Sequence, residues 1–430
     1  MKTITLFFGL LLSILWPINA LATDFNQVVS SGTTENLFGL YMITASDGIA
    51  VGNNGEMVIT HDGGNNWSHM ATGFFTGLRA ITFVNTNTGY AVGLGGLVLK
   101  TTNTGANWTS STPTTNDLNA VCFMDANTGY VVGQWNTALK TTNGGANWTT
   151  LNTGLVDDHL SSVVCILNKV IIGVSFSNTT NLIISNDGGN TWLSSKTRAI
   201  GDIRTLGMTA SGNTICVVGY EMLTGGIRKP IFFKSIDNGI SWFEPTLSGR
   251  ADLRAVVITP NYPNIITVAG RYFNDPTNLN KGYIARSTDG GNTWITQPAY
   301  GTGTVTLSSA ASTEDNCFIV GDNGSILKGT NPIGITPIST EVPKHFSLSQ
   351  NYPNPFNPVT NINFAVKEAG TVKMYIFNSI GQEVTVLVNQ HFAAGVYNVD
   401  FNASSLTSGI YFYRMEAKNF TETKKMVLVK

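Results

Sequence analysis

Apolar residues in this chain come in runs of four to six, broken by turns of Gly, Asn and Thr, and the same pattern keeps returning. Its clearest copy reads LRAITF (Leu78–Phe83), NTNTG, GYAVG (Gly89–Gly93), LGG, LVLKTT (97–102), a polar turn and WTSS. Short β-branched and aromatic runs bounded by turn residues predict four antiparallel strands per copy. The opening strand recurs seven times, starting at Leu37, Leu78, Leu118, Leu160, Ile203, Leu253 and Val305. A glycine ends the second strand each time: Gly52, Gly93, Gly133, Gly173, Gly219, Gly270 and Gly321.

The turn before the fourth strand reads SNDGGNTW at 185–192 and STDGGNTW at 287–294, with looser versions ending at Trp67, Trp108, Trp148 and Trp242. Successive tryptophans lie 40 to 52 residues apart, a period that predicts propeller blades or solenoid units. Ser or Thr and the following Asp or Asn close the turn by bonding backbone amides. The glycines supply positive φ, and the Trp opens the next strand with a large apolar ring whose N–H seeks a partner when buried. This stretch resembles the Asp-box hairpin of sialidase-type (BNR) propellers. Asp62, Asp187, Asp237 and Asp289, with Trp67, Trp108, Trp148, Trp192, Trp242 and Trp294, are therefore expected to be scaffold. The seventh copy, GDNGSILKGT (321–330), stops after its third strand. DFNQVVSSG (24–32) looks like the segment after a box Trp, with Phe25 in the Trp position, so 25–30 is expected to complete the last blade and shut the ring. The expectation is all-β: a seven-bladed β-propeller over residues 23–330 with N-terminal strand closure.

Charged residues are 12% of the chain and the net charge is −1, which gives no reason to expect nucleic acid as a partner. Met1–Ala22 reads as a secretory signal peptide, with Lys2, an apolar core and Ala20-Leu21-Ala22 before a mature start at Thr23. No later segment is long and apolar enough to span a bilayer, so the mature chain is expected to have no transmembrane segment and to be a monomer. An exported chain permits disulfides, and four Cys allow three connectivities, but Cys122, Cys165, Cys216 and Cys317 each sit in an apolar run of a different repeat and read rather as small buried hydrophobes with free thiols. Nothing in the Cys and His spacing suggests zinc; no metal or cofactor is expected.

Residues 331–345 carry three prolines without periodicity and read as a linker. Residues 346–430 alternate apolar and polar positions through about seven strands, suiting an immunoglobulin-like β-sandwich. NYPNPFNP (351–358), IFNSIGQEV, SSLTSGIYFYRM and the terminal KKMVLVK closely resemble the type A C-terminal sorting domain of the type IX secretion system. That resemblance implies a Gram-negative cell, passage through the periplasm and outer membrane, the type IX machinery as a partner, removal of the tail, and release or attachment to surface lipopolysaccharide.

Candidate chemistry falls on the face carrying the loops between strands two and three. In the middle blades these loops lengthen, and Tyr220, Glu221, Tyr272, Phe273 and Asp275 lie in them. Trp135 is there too, the one Trp of the mature chain outside a box. Exposed loop aromatics suit a carbohydrate or a peptide. Register places Arg79, Arg204 and Arg254 at equivalent positions on the innermost strands, with Asp117, Asp202 and Asp252 two residues before that position. An Asp–Arg ring at the channel mouth can take a carboxylate or be satisfied within itself. Asp157, Asp158 and His159 occupy a neighbouring loop. For an enzyme reading the carboxylates are Asp202, Asp252, Glu221 and Asp275, as a glycoside hydrolase needs a pair; the sialidase Phe-Arg-Ile-Pro motif is not found. Leu78–Phe83 onward to Trp108, and the copy from Leu118 to Trp148, resemble the photosystem II assembly and stability factor family, seven-bladed and non-catalytic, which binds a polypeptide through an arginine-bearing face. The resulting expectation is a secreted or cell-surface, non-catalytic propeller that binds a protein or glycan. The alternatives are a glycoside hydrolase and a structural surface module.

Overall fold

A computed structural model describes residues 25, 27–156, 158–175, 181–195, 202–331, 335–339, 342–392, 394–403 and 406–430. The expected signal peptide and Asp157 lie outside these residues. Among them every regular element is a β-strand apart from four short 3-10 turns.

Seven antiparallel sheets follow one another up to Thr330. The second runs Leu78–Phe83, Gly89–Gly93, Val98–Thr101 and Thr109–Ser111, as its sequence pattern predicts. The innermost strands adjoin in chain order, and that of the seventh sheet, Leu307–Ser312, adjoins that of the first, Leu37–Met42. Gln27–Val29 pairs antiparallel with Ile326–Lys328 of the seventh sheet, while Phe25 packs on the core shared by the sixth and seventh sheets. The fifth sheet has three strands, because after Trp242 only the bridge between Lys234 and Phe243 forms. Pro245, two residues on, has no N–H to continue the ladder.

Each innermost strand carries a one-residue bulge near its start, opposite the recurring glycine. The register jumps between Leu37 and Gly39, Leu78 and Ala80, Leu118 and Ala120, Leu160 and Ser162, Thr205 and Gly207, Leu253 and Ala255, and Leu307 and Ser309. A Cβ on Gly133 would stand 2.0 Å from the Asp117 carbonyl oxygen, and one on Gly270 2.0 Å from that of Asp252. Close approach of backbone to backbone demands glycine there. The repeat register read from Ile203 and Val305 is thus two residues early; Thr205 and Leu307 hold the positions equivalent to Leu78.

Side chains staple one sheet to the next. Tyr90 Oη and Lys100 Nζ both donate to the Gly144 carbonyl, and Tyr130 and Lys140 repeat this on Gly188. Cys122 and Cys165 form a disulfide between the innermost strands of the third and fourth sheets. This corrects the reading of all four cysteines as free thiols. Neighbouring innermost strands bring these two Cα atoms to 5.9 Å, within bridging range. Cys216 and Cys317 are free and buried.

The box turns are held by their carboxylates. Asp187 Oδ1 accepts from the backbone of Asn190 and Thr191, and Oδ2 accepts from the Thr191 hydroxyl. The bonds from Asn66, Thr191 and Ser241 respectively lead those that hold the carboxyls of Asp62, Asp187 and Asp237 down at about 2. Groups depressed below the unfolded value of about 4 stabilise the fold above that pH and cease to do so as pH falls toward 2. Melting temperature should therefore drop between pH 4 and 2. Asp187→Asn should melt below wild type at pH 7 and converge with it in acid, a result that parallel curves would contradict. The box indoles behave less uniformly than expected. Trp294 Nε1 donates to the Gly291 carbonyl at 3.0 Å, but the buried Nε1 atoms of Trp67, Trp108, Trp148 and Trp192 have no such acceptor. Ring packing holds Trp108 and Trp148 instead, edge-on to Phe83 and Phe123.

The last part of the chain forms two four-stranded antiparallel sheets around one core that includes Ile362, Phe364, Val399, Met374, Tyr413 and Met426. Ile335–Ser339, read as linker, is a strand here, paired with Gly395–Asn402 at a sheet edge. Pro337 is tolerated because an edge strand needs only one side of its ladder.

Candidate functional site

A bulge turns the extra residue of a strand off the ladder and re-aims its side chain. Here the seven extra residues are Phe38, Arg79, Asn119, Ser161, Leu206, Arg254 and Ser308, and all seven line a single cavity of about 310 Å³. Gln134, His159 and Ser175 complete its wall. A second space of about 250 Å³ continues from it along all seven innermost strands. The mouth is built from one position of the repeat, used once per sheet.

Arg79 and Arg254 reach this cavity, as expected; Arg204 does not line it. Leu206 takes the fifth position, since Arg204 stands two residues before the bulge. Burial lowers the Arg79 guanidinium's proton affinity, the Asp117 carboxylate opposes this, and Arg254 reinforces it. The Arg79 guanidinium also lies 4.7 Å from the centre of the Phe38 ring, a cation–π contact.

Among the described residues, the Asp–Arg contacts of the expected ring gather at Asp252. Asp252 is fully buried, and its Oδ2 accepts from Arg228 Nη1 at 2.5 Å and Arg271 Nη2 at 3.3 Å, with Arg254 Nη2 at 3.7 Å. Three guanidiniums thus share one carboxylate, whose Oδ1 has no hydrogen-bond partner. Asp117 Oδ1 instead accepts from Gly95 N of the neighbouring sheet at 2.8 Å. The Asp202 side chain is outside the described residues.

The long loop expected in the fifth sheet is mostly strand, whereas in the sixth, strand takes only its first three residues and 273–281 remain loop. Thr214–Leu223 and Ile227–Ser235 extend their hairpin to a turn at Thr224–Gly226, and Tyr262–Tyr272 is likewise strand. Tyr220 and Tyr272 are consequently buried, not exposed platforms. Tyr220 packs under Arg228 at 4.5 Å, Phe273 stacks on the same guanidinium at 3.7 Å, and Tyr272 meets Tyr283 edge-on. Of the remaining carboxylates, Glu221 is buried and Asp275 caps its own turn through Thr277 and Asn278.

Trp135 stands apart from these. It is 60% exposed, and its indole lies 5.4 Å from the His159 ring at the rim of the cavity. Sequence reasoning found Trp135 but missed Phe38, Asn119, Ser161 and Ser308. Phe38, Asn119 and Ser161 shared a signal, the second residue of the opening strand as read from the sequence; Ser308 did not, because that strand was read two residues early.

Residues 350–430 match the family described as secretion system C-terminal sorting domain, and residues 18–116 match photosynthesis system II assembly factor YCF48. The tail is a sorting domain of the type IX secretion system, and the protein is exported to the cell surface or beyond it. No helix among the described residues is long and apolar enough to cross a membrane. A solved structure of YCF48 bound to D1 peptide is similar at TM-score 0.55 and 19% identity, over 70% of this chain and 96% of that one. The GH74 enzyme of Niastella koreensis is similar at TM-score 0.57 and 15% identity, over 95% of this chain and 75% of that one. PorZ of Porphyromonas gingivalis, a surface component of the type IX secretion system, is similar at TM-score 0.51 and 12% identity, over 95% and 60%. At such identities the likeness is one of fold, a β-propeller. No curated protein sequence matches the chain.

Proposed function

We propose that the seven sheets are the blades of a closed propeller, completed by Gln27–Val29, and that its mouth binds the anionic group of an extracellular protein or glycan without turning it over. One observation supports this reading: the cavity gathers one side chain from every sheet, and its lining among the described residues holds two arginines and no carboxylate. Arg79 and Arg254 face the space, while the nearest fully buried carboxylate, Asp252, is already shared by three arginines. Arginine presents a planar fork suited to a carboxylate.

Hydrolysis of a glycoside asks for two carboxylates flanking the bond, one of them a proton donor. Asp252 is engaged by its guanidiniums and Asp275 by its own turn, so neither supports that role. The sorting tail agrees with a ligand met outside the cell and makes the type IX machinery a partner during export. The YCF48 structure with a bound peptide is the reason to include peptides in any screen.

The test is titration of the mature protein against peptides with free carboxyl termini and against acidic glycans. The Arg79→Ala, Arg254→Ala double variant should weaken any genuine ligand by roughly 100-fold, as two charge-assisted contacts of about 1.5 kcal/mol each imply. Unchanged affinity in the double variant, or cleavage of any ligand that binds, would overturn the proposal.

A further inference from the structure

In five sheets the loop from the second to the third strand turns through two successive residues in the left-handed region, the second of them Gly55, Gly96, Asn136, Gly226 or Gly324 and the first the more telling. That first residue is Asn54 (φ 53°), Gly95 (60°), Gly225 (79°) and Asn323 (56°) in the first, second, fifth and seventh sheets. In the third sheet it is Trp135, at φ 53°. Gly adopts this conformation freely and Asn more readily than other residues, but a bulky side chain is disfavoured there. Trp135 also recovers little by packing, since more than half of its surface is exposed. A strained and exposed residue points to a role outside the fold.

The turn that carries the ring is nonetheless held in place. Next to it, Asn136 donates from its side chain to the Leu155 carbonyl at 2.7 Å and from its backbone to Asp158 O at 2.7 Å. Its Oδ1 accepts from the Thr153 hydroxyl at 2.6 Å. The indole therefore offers a flat apolar face, backed by His159, at the edge of a cavity that contains Arg79 and Arg254. Polar groups of Asn119, Gln134, Ser161 and Ser308 lie in the wall beside the apolar side chains of Phe38 and Leu206. Each innermost strand ends its sheet and leaves its inner edge unpaired along the deeper space, a place a peptide main chain can use, but the mouth itself is walled by the bulged side chains. A pyranose ring has what this place asks for: an apolar C–H face, a rim of hydroxyls and, in a uronate, a carboxylate. At about 310 Å³ the space is near the lower bound for ligand pockets and suits about one or two sugar units.

We infer that the ligand is an acidic saccharide, stacked on Trp135 with its carboxylate on Arg79 and Arg254; this rests on the binding role proposed above for the same mouth. The mature chain is titrated with hexuronate oligomers, with the same oligomers after reduction of their carboxyls to alcohols, and with free-carboxyl peptides. The acidic oligomers should bind, and carboxyl reduction should cost at least about tenfold. Trp135→Asn should cost a similar factor while its melting temperature stays at or above wild type, because Asn already serves this turn at Asn54 and Asn323. Trp135→Phe should restore part of the affinity. The inference fails if acidic oligomers do not bind, if Trp135→Asn binds them as wild type does, or if reduced oligomers bind equally. Peptide binding that depends on Arg79 and Arg254, without saccharide binding, sinks this inference and spares the broader role. Indifference of every ligand to both arginines sinks the broader role itself.

Discussion

Asp252→Ala lowers the stability of the propeller by about 3 kcal/mol, the cost of removing one partner from a buried ion cluster. The reason lies in the stoichiometry. Arg228 and Arg271 are each more than four-fifths buried, and Arg254 is only partly exposed. Without the carboxylate they repel one another with little water to screen them. The tail holds none of the eight tryptophans, so denaturation followed by Trp fluorescence reads the propeller alone. Added salt should recover part of the loss, since the exposed side of Arg254 is open to counterions. A midpoint equal to wild type at low salt would show that the three guanidiniums are solvated well enough without Asp252.

Breaking the disulfide produces the other large effect. Cys122 and Cys165 are 43 residues apart, and closing a loop of that length restricts the unfolded chain by about 4 kcal/mol in the chain-entropy treatment. The Cys122→Ala, Cys165→Ala double variant should lose most of that, seen as an earlier denaturant midpoint. Unfolding wild type in a thiol reductant should approach the same midpoint. Cys216→Ala makes the control, because that thiol is buried and unpaired, its acidity suppressed to about 12 by burial. Its loss should show only the packing cost. If the double variant and wild type unfold together, the bridge contributes no net stability.

The repeat was readable because its turn chemistry and its tryptophans are local. What the chain hides is long-range. Sliding the start of the fifth innermost strand from Thr205 to Ile203 keeps every side chain on the same face, because two residues are one full period of a strand. Alternation therefore could not reveal that Leu206, and not Arg204, reaches the mouth. The bulge was equally silent, being defined by a partner strand. GYEMLTGGIRKP looks like a loop on composition, with Pro230 arguing against a strand, yet Pro230 pairs opposite Tyr220 and the hairpin simply continues. The cysteine bridge joins residues one repeat apart, which only the side-by-side packing of sheets makes neighbours. Trp135 was visible as an outlier in the repeat, but its left-handed backbone was not.

The strand Ile335–Ser339 bears on where the export signal can be cut. The sorting-domain match begins at residue 350, and a fusion cargo spliced there would arrive without Ile335–Ser339 and Ser347–Leu348. Both sheet neighbours would then be bare: Gly395–Asn402 on one side and Val359–Val366 on the other, two ready templates for sticking to another chain. A passenger joined ahead of Ile335 keeps those margins covered, and should reach the medium in better yield than one joined at 350.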